Sequence, residues 1–217
     1  MLVDIELTCP PRLPHLSPSV GAACEAGRVS SLPVAVPVGA VSGQPQPVLD
    51  AGAGLGLRPF VEADAEVLVR AYADPAIERW HRRTLTREEA LEWVRGRAWH
   101  RWQAETGAEW AVVEAGVVVG RVGLPVLHLD EGVAEVGYWV LPEGRGRGVA
   151  GRALTAMTGW LFELGLHRVE LMHSVLNEPS CRVAVKNGFD LEGTRRSALL
   201  HPDGWHDMHL HARLAPT

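Results

Sequence analysis

The sequence predicts an α+β domain built on a mixed, mostly antiparallel sheet with helices packed against it. Alternating apolar segments follow one another directly at 109–124 and again at 189–214. The tight turns Ala115-Gly116 and Pro202-Asp-Gly204 separate their halves, which is typical of antiparallel hairpins. Between the hairpins, one strand–helix–strand unit spans 134–175. A single pair of strands is therefore expected to be parallel.

The first half of the domain is predicted to contain one short strand and two helices. The strand lies at 57–60, and a helix at 63–72 is expected to stop near Asp74-Pro75. Thr86-Arg-Glu-Glu89 has the spacing of a capping box, in which the hydroxyl and the carboxylate satisfy each other's backbone amides. The apolar stripe of the helix that follows has helical spacing and consists of Ala90, Leu91, Val94, Ala98 and Trp102.

The second half alternates strands with two more helices, which brings the number of flanking helices to about four. The helices are predicted at 148–164 and 180–187, and each ends before a glycine, Gly165 or Gly188. The strands are predicted at 109–114, 117–124, 134–141, 168–175, 189–199 and 206–214.

The composition is that of an ordinary globular domain and excludes several classes of protein. The 217 residues include 21 basic and 26 acidic side chains, so no basic field exists to hold nucleic acid. No run of about 18 apolar residues occurs, which excludes a membrane-spanning helix. The only cysteines are Cys9, Cys24 and Cys181, too few for a disulfide framework. We therefore expect a cytoplasmic protein. The sequence leaves open whether it is a monomer or a homodimer.

Residues 1–54 are expected to form an extension to a domain at 55–217. Eight of the fifteen prolines fall before residue 50, and proline removes backbone donors and disfavours helix. The start lacks the basic region of a signal peptide. We expect the extension to be disordered or loosely docked, the alternative being an arm that packs on the domain or on a partner.

The most informative segment is the turn between the strand and the helix of the strand–helix–strand unit. Gly146 and Gly148 let successive backbone amides point inward. The start of the helix adds unpaired donors and the positive end of its dipole. This predicts a cradle for a pyrophosphate, with Arg145, Arg147 and Arg152 adding charge at its rim.

Two phosphate ligands fit this turn. Gly146-x-Gly148-x-x-Gly151 matches the dinucleotide fingerprint, which leaves a nicotinamide-dependent dehydrogenase as an alternative. That fold normally requires an acid at the end of the next strand, whereas Glu170 lies within it. The same turn also reads Arg145-x-x-Gly148-x-Ala150, which is the pattern of a different family.

Three segments together resemble the GNAT superfamily of acetyl-CoA-dependent N-acetyltransferases. They are this turn, the strand Glu135-Val-Gly-Tyr-Trp-Val140 and the stretch Asn177-Glu-Pro-Ser-Cys-Arg-Val-Ala-Val-Lys-Asn-Gly-Phe189. More narrowly, the chain resembles the RimJ/RimL-type branch, which acetylates the N-termini of ribosomal proteins. The resemblance covers 57–214. It implies a GNAT-type sheet with a β-bulge and a splay between the fourth and fifth predicted strands.

The resemblance also implies how the co-substrate acetyl-CoA binds. Its pyrophosphate would rest on the amides of the turn. Its pantetheine arm would run antiparallel to the strand from Tyr138 to Leu141 and pair with the strand's main chain. Asn177, just past the strand that follows, would fix the arm. The residues implied to hold acetyl-CoA are Tyr138, Trp139, Val140, Leu141, Arg145, Gly146, Arg147, Gly148, Val149, Ala150, Gly151, Asn177 and Ser180.

Acetyl transfer requires a neutral amine, a stabilised oxyanion and a protonated leaving thiolate. The resemblance implies Glu135 as the base, and we expect a strand amide near Trp139 or Val140 to stabilise the oxyanion. Many superfamily members protonate the thiolate with a tyrosine where this chain has Ala184. The favoured branch uses a serine, here Ser180. The alternatives are a sheet-surface glutamate, a serine that only caps its helix, and a thiolate protonated by water.

The acceptor is expected to be a primary amine on a protein or peptide N-terminus, next to Trp80 and Glu135. A small-molecule amine and a non-catalytic coenzyme A sensor remain alternatives. We expect no metal, because we expect His209 and His211 to be exposed strand residues with no cysteine converging on them. His173 is a reserve base, and Cys181 is interpreted as a small buried filler.

Overall fold

An eight-stranded sheet forms the centre of the protein, and the α+β prediction is confirmed. The computed structural model describes residues 33–81 and 83–216. The strand order is β1-β2-β3-β4-β5-β6-β8-β7, and every neighbouring pair is antiparallel except β5 and β6. The strands are β1 Leu49–Asp50, β2 Leu55–Pro59, β3 Ala108–Glu114, β4 Val117–His128, β5 Val133–Val140, β6 Arg168–Ser174, β7 Asp190–His201 and β8 Gly204–Leu214.

Five helices flank the sheet in the described part of the chain, one more than the sequence predicts. A π-helical turn, Trp93–Arg97, joins α3 to α4, so these two run on as one helix. The six segments are α1 Ala65–Tyr72, α2 Pro75–His81, α3 Arg87–Glu92, α4 Ala98–Gln103, α5 Val149–Glu163 and α6 Glu178–Lys186. Across the described residues, every helix is too short or too polar to cross a lipid bilayer.

Helix α2 is the element that the sequence analysis missed. Asp74-Pro75 was expected only to stop α1, but it also starts α2. The Asp74 carboxylate accepts hydrogen bonds from the amides of Ala76 and Ile77, both at 3.1 Å, and proline is well suited to the first helical position. The predicted capping box is confirmed: Thr86 Oγ1 accepts from the Glu89 amide at 3.2 Å, and Glu89 accepts from the Thr86 amide at 2.7 Å.

Two apolar clusters cover the two faces of the sheet. Trp110 and Val112 belong to the cluster that packs against α5 and α6, whereas Ala111 between them belongs to the cluster under α1–α3. Because side chains alternate along a strand, the two clusters lie on opposite faces. Along the 15-residue helix α5, the side chains of Leu154, Met157 and Leu161 are buried, and they fill the first cluster.

Part of the expected extension packs on the domain. Residues 1–32 lie outside the described residues, but 33–54 do not have the loose docking that we expected for them. Val36 and Val41 are 2% and 1% exposed and belong to the first cluster. The indole groups of Trp102 and Trp110 donate to the carbonyls of Gln44 and Pro47 at 3.1 and 2.8 Å. The segment is irregular up to β1, as its prolines favour, and it is held on the domain by the buried Val36 and Val41 and by the two indole hydrogen bonds.

The predicted splay lies between β5 and β6, the fourth and fifth strands of the sequence analysis. Their parallel ladder ends at the pair Val136 and Leu171, although β5 continues to Val140 and β6 to Ser174. The register of β4 against β5 shifts between Gly123 and Val126, so the sheet bulges at the same level. The two strands therefore leave a gap in the middle of the sheet.

Candidate active site at the splay of the sheet

The gap between β5 and β6 is the floor of a cleft of about 310 Å³. Consecutive residues of β5 line it, from Glu135 to Tyr138, and their side chains alternate between the two faces of the sheet. Five residues of the predicted site are brought together in it. The lining residues are Trp80, His81, Arg83, Arg121, Pro125, Glu135, Val136, Gly137, Tyr138, Leu171, Met172, His173, Ser174, Asn177, Ser180, Leu199, His201 and Met208.

Glu135 is half-buried in the wall of the cleft. It pairs in register with Glu170 of β6. Burial raises the pKa of Glu135 above its usual value, and the charge of Glu170 raises it further, against a smaller opposing effect of Arg195. A carboxylate with a raised pKa is a stronger proton acceptor than an exposed one, so this side chain has the properties of a general base.

Tyr138 and Ser180 meet in the cleft through their hydroxyl groups, 3.0 Å apart. Burial raises the pKa of Tyr138 to about 12, and the hydrogen bond with Ser180 lowers it by less, so the phenol stays protonated. The N-cap of α6 is Asn177, whose Oδ1 accepts from the Ser180 amide at 3.3 Å. The Ser180 hydroxyl is therefore not used as the cap and is available to a ligand. The sequence analysis assigned Tyr138 only a main-chain role, and no local spacing links it to Ser180.

The cradle follows β5 directly. Gly146 and Gly148 have φ values of +74° and +73°, and an added Cβ at either would meet no atom of the described protein within 4 Å. The Arg152 amide donates to the Gly148 carbonyl at 3.0 Å, so α5 begins directly after Gly148 with the usual unpaired first-turn amides. These glycines and amides fit a bound pyrophosphate.

The three arginines of the turn are paired with carboxylates. Arg145 contacts Asp74 at 2.7 Å, and Arg147 and Arg152 contact Glu114 at 2.5 and 3.4 Å. Burial would raise the pKa of Asp74, but hydrogen bonds, chiefly from Arg145, hold it below its usual value. The expected free positive charge at the rim is therefore largely neutralised, and the main-chain donors are the principal anion-binding feature.

The main chain of β5 presents alternate residues to the gap. The Leu141 amide donates to Val119 of β4 at 2.9 Å. On the other edge, the carbonyl of Tyr138 accepts from His81 Nε2 at 3.2 Å and that of Val140 from Arg145 Nε at 3.1 Å. Because strand residues alternate, Tyr138 and Val140 face the gap.

The residues between them face the other way. The main chain of Trp139 faces β4, and its side chain is 3% exposed in the second cluster. Of the two expected oxyanion donors, the Val140 amide faces the gap and the Trp139 amide faces β4, although Val140 is not among the residues that line the cleft. Leu141 is likewise buried, and neither residue lines the cleft.

Two lining residues that the sequence analysis did not single out shape the charge of the cleft. Burial lowers the pKa of His81 to about 3, with a smaller contribution from Arg121, so this imidazole is neutral and serves as a hydrogen-bond donor to β5. Arg121 is buried and pairs with the buried Glu109 at 2.5 Å. Each lies far in sequence from the predicted motifs, so only the fold reveals them.

Trp80 packs edge-on against the rings of His201 and His206, with centroids 6.0 and 6.3 Å away. The His206 Nδ1 lies 2.8 Å from Ser174 Oγ, and its Nε2 lies 2.8 Å from Asp203 Oδ1. These contacts fix the indole in the wall of the cleft. Trp80 thus lines the same cleft as Glu135, the other residue expected to contact the acceptor.

The histidines of the last strand are not the exposed residues that we expected. His211 is fully buried and His209 is partly buried, and Cys181 of α6 converges on both. His173, interpreted as a reserve base, belongs to the same group. Burial lowers the pKa of His173 below its usual value, while its bond to the Ser174 carbonyl has the opposite effect. The argument that no cysteine lies near these histidines was wrong.

Comparison with known proteins agrees with this geometry. The family model of the acetyltransferase (GNAT) domain matches residues 55–190, which contain β5, the cradle, α5, β6 and α6. The chain belongs to the GNAT family. It is therefore an N-acetyltransferase, and the predicted resemblance and enzyme class are confirmed.

Named relatives come from the same family. An uncharacterised N-acetyltransferase of Bacillus subtilis, YoaA, is 25% identical over 165 residues, which are 74% of this chain and 93% of that protein. The ribosomal-protein-serine acetyltransferase of Escherichia coli is 37% identical over 82 residues, 37% of this chain and 46% of that one. A RimL ribosomal-protein α-N-acetyltransferase, solved in complex with coenzyme A, has the same fold, with a TM-score of 0.71, 22% identity and coverage of 77% and 98%.

Proposed function

We propose that this GNAT enzyme transfers the acetyl group of acetyl-CoA to the α-amine of a protein or peptide N-terminus, by direct attack in a ternary complex. The observation that carries the proposal is the arrangement of the cleft. Glu135 enters it from one face of the sheet, and the Tyr138–Ser180 pair enters from the other. The thioester would lie between a proton acceptor and a proton donor, with its pyrophosphate on the cradle after β5.

The chemistry follows from these positions. The amine nitrogen attacks the thioester carbonyl carbon, and Glu135 accepts the amine proton, directly or through a water molecule. The Val140 amide stabilises the oxyanion. The carbon–sulfur bond then breaks, and the thiolate takes a proton from the Ser180 hydroxyl, which the Tyr138 hydroxyl replenishes. Tyr138 regains its proton from solvent, and Glu135 releases the amine proton to solvent, so both side chains return to their starting state. The products are the acetylated amine and coenzyme A.

The dimensions and the relatives favour an N-terminal amine over a large small-molecule acceptor. A volume of about 310 Å³ is at the small end of ligand pockets, which span about 300–1,000 Å³. It fits an acyl group and a small first residue. An α-amine also has a pKa near ~8, against ~10.4 for lysine, so it is deprotonated more easily at neutral pH. Acetyl-CoA and newly made proteins are cytoplasmic, and we propose that the enzyme acts there.

A thiol-release assay with mass spectrometry of the product tests the acceptor. The substrates are peptides that begin with serine or alanine, the same peptides with a formylated N-terminus and an internal lysine, and a panel of small amines. We expect turnover of the free α-amine alone. Turnover restricted to small amines or to lysine would contradict the proposal, and no turnover with intact coenzyme A binding would indicate a sensor.

A variant of the acceptor wall complements that assay. Trp80→Ala removes the indole that His201 and His206 hold in place, so the KM for the peptide should rise while the coenzyme A affinity stays the same. An unchanged KM would place the acceptor elsewhere.

A further inference from the structure

At one wall of the cleft, four potential metal ligands converge from three elements of the fold. They are His173 of β6, Cys181 of α6, and His209 and His211 of β8. One ligand atom from each lies within 4.8 Å of the ligand atoms of the other three. We propose that these side chains bind one Zn²⁺ ion per chain. The inference is independent of the acceptor and of acetyl transfer.

The strand register explains why the histidines meet. His209 and His211 are two residues apart on β8, so they lie on the same face. His173 stands directly opposite His209 in the antiparallel β6–β8 ladder. The ring centroids of His173 lie 5.4 Å from His209 and 5.1 Å from His211. Helix α6 crosses this face and contributes Cys181, whose Sγ lies 4.0 Å from His211 Nε2.

The hydrogen bonds of the histidines engage one ring nitrogen and leave the other available to bind a metal ion. His173 donates from Nδ1 to the Ser174 carbonyl at 2.8 Å, and His211 donates from Nδ1 to the Phe189 carbonyl at 3.2 Å. Each therefore has a lone pair on Nε2. His173 Nε2 and His209 Nδ1 are buried and have no hydrogen-bond partner within the described residues. A buried polar atom without a partner costs free energy, which a metal ion would recover.

This pattern is the usual environment of a zinc-bound histidine. Such a histidine binds the metal through one nitrogen and donates the other N–H to a carbonyl or carboxylate, which fixes its orientation. One thiolate and three imidazoles suit tetrahedral Zn²⁺. With Zn–N near 2.0–2.1 Å and Zn–S near 2.3 Å, the ligand atoms would be about 3.3–3.8 Å apart. The four ligand atoms therefore need to move roughly 1 Å closer to one another when the ion binds.

A metal ion here would tie together the elements that form the wall of the cleft. Cys181 follows Ser180 directly, and His173 precedes Ser174, and both serines line the cleft. The ion would join β6, β8 and the first turns of α6 at one point. Because it binds the folded state, it should also raise the thermal stability of the chain.

Cobalt and zinc binding to the full-length protein tests the proposal. Reduced protein freed of metal by a chelator is titrated with Co²⁺ by absorption spectroscopy and with Zn²⁺ by competition with a chromophoric chelator. We expect one ion per chain, intense visible bands of tetrahedral cobalt and a thiolate-to-cobalt charge-transfer band. Weak octahedral bands, or binding well below one ion per chain, would overturn the assignment.

Three variants locate the ion. Cys181→Ser should abolish the charge-transfer band, and His209→Ala should weaken Zn²⁺ binding by at least about 10-fold, the lower limit seen for outer-shell partners. His128→Ala, at an exposed histidine of β4, should match the wild type in both measurements. Circular dichroism checks that each variant folds. A wild-type cobalt spectrum in Cys181→Ser, or equal weakening by His128→Ala, would contradict the proposal.

Discussion

Gly148→Ala tests how much the backbone conformation of the cradle matters, because the substitution changes no contact with another residue. Gly148 has a φ of +73°, and an added Cβ meets no described atom within 4 Å. The substitution therefore produces no clash, and its cost comes from holding an L-residue in the left-handed region, about 1–2 kcal/mol. Gly148→Ala should lower the free energy of unfolding by that amount.

The same helix offers a matched control. Gly159 lies in the middle of α5, is exposed, and also has nothing within 4 Å of an added Cβ. Its backbone is helical, so Gly159→Ala should raise the free energy of unfolding by about 0.5–1 kcal/mol. One substitution in one helix thus has opposite effects at its start and at its middle.

Chemical unfolding and calorimetry with coenzyme A measure the two consequences. Where the turn of Gly148→Ala relaxes instead of keeping that strain, coenzyme A binding has to restore its shape, and a cost of up to about 1–2 kcal/mol would weaken coenzyme A by up to about 5- to 30-fold. Gly159→Ala should leave the affinity unchanged. If both variants are stabilised, the left-handed turn is refuted. If Gly148→Ala keeps the wild-type free energy of unfolding, because its turn has relaxed, and still binds coenzyme A normally, the pyrophosphate lies elsewhere.

Three further experiments, with four single variants and one double variant, test the chemistry and the scaffold. Glu135→Gln should lower kcat/KM by about 100-fold or more at pH values between the raised pKa of Glu135 and that of the α-amine. The wild-type kcat/KM should increase with pH through the pKa of the Glu135 carboxyl. The variant should lack this increase and should approach the wild-type value once the amine is deprotonated. Parallel pH profiles would exclude Glu135 as the base. Tyr138→Phe and Ser180→Ala should each lower kcat. Because the two hydroxyls act together, the double variant should be only a little slower than the slower single variant. Additive losses would show that the two hydroxyls act independently. Thr86→Ala should cost about 1 kcal/mol of stability with unchanged kinetics, and a kinetic effect would show that α3 contributes to the site.

The parts of the fold that local signals determine were predicted from the sequence. The hairpin turns, the capping box at Thr86 and the glycines that bound α5 and α6 act within a few residues of themselves. Asp74-Pro75 ends α1 and also begins α2. Helix α2 was missed because the sequence analysis considered only the first of these two roles. That signal was present, since proline favours the first turn of a helix.

The site was predictable only where it lies along one strand or turn. Glu135 and the cradle glycines are read from a single segment, whereas the partner of Ser180 is 42 positions away. The alternation of β8 placed His209 and His211 on one face, but their approach to Cys181 depends on β8 lying between β6 and β7. Such contacts depend on the order of the strands in the sheet, and the spacing of residues along the sequence does not reveal that order.

The packed segment 33–54 has a practical consequence for producing the enzyme. The family match begins at residue 55, so a truncation guided by homology would start there. That protein would lose β1, which pairs with the outer edge of β2, and would leave two indole N–H groups without their carbonyl acceptors. A bare strand edge is a template for aggregation. Expression should therefore begin at or before Pro33, and insolubility of shorter versions would reflect this missing cover rather than a fault in the catalytic half.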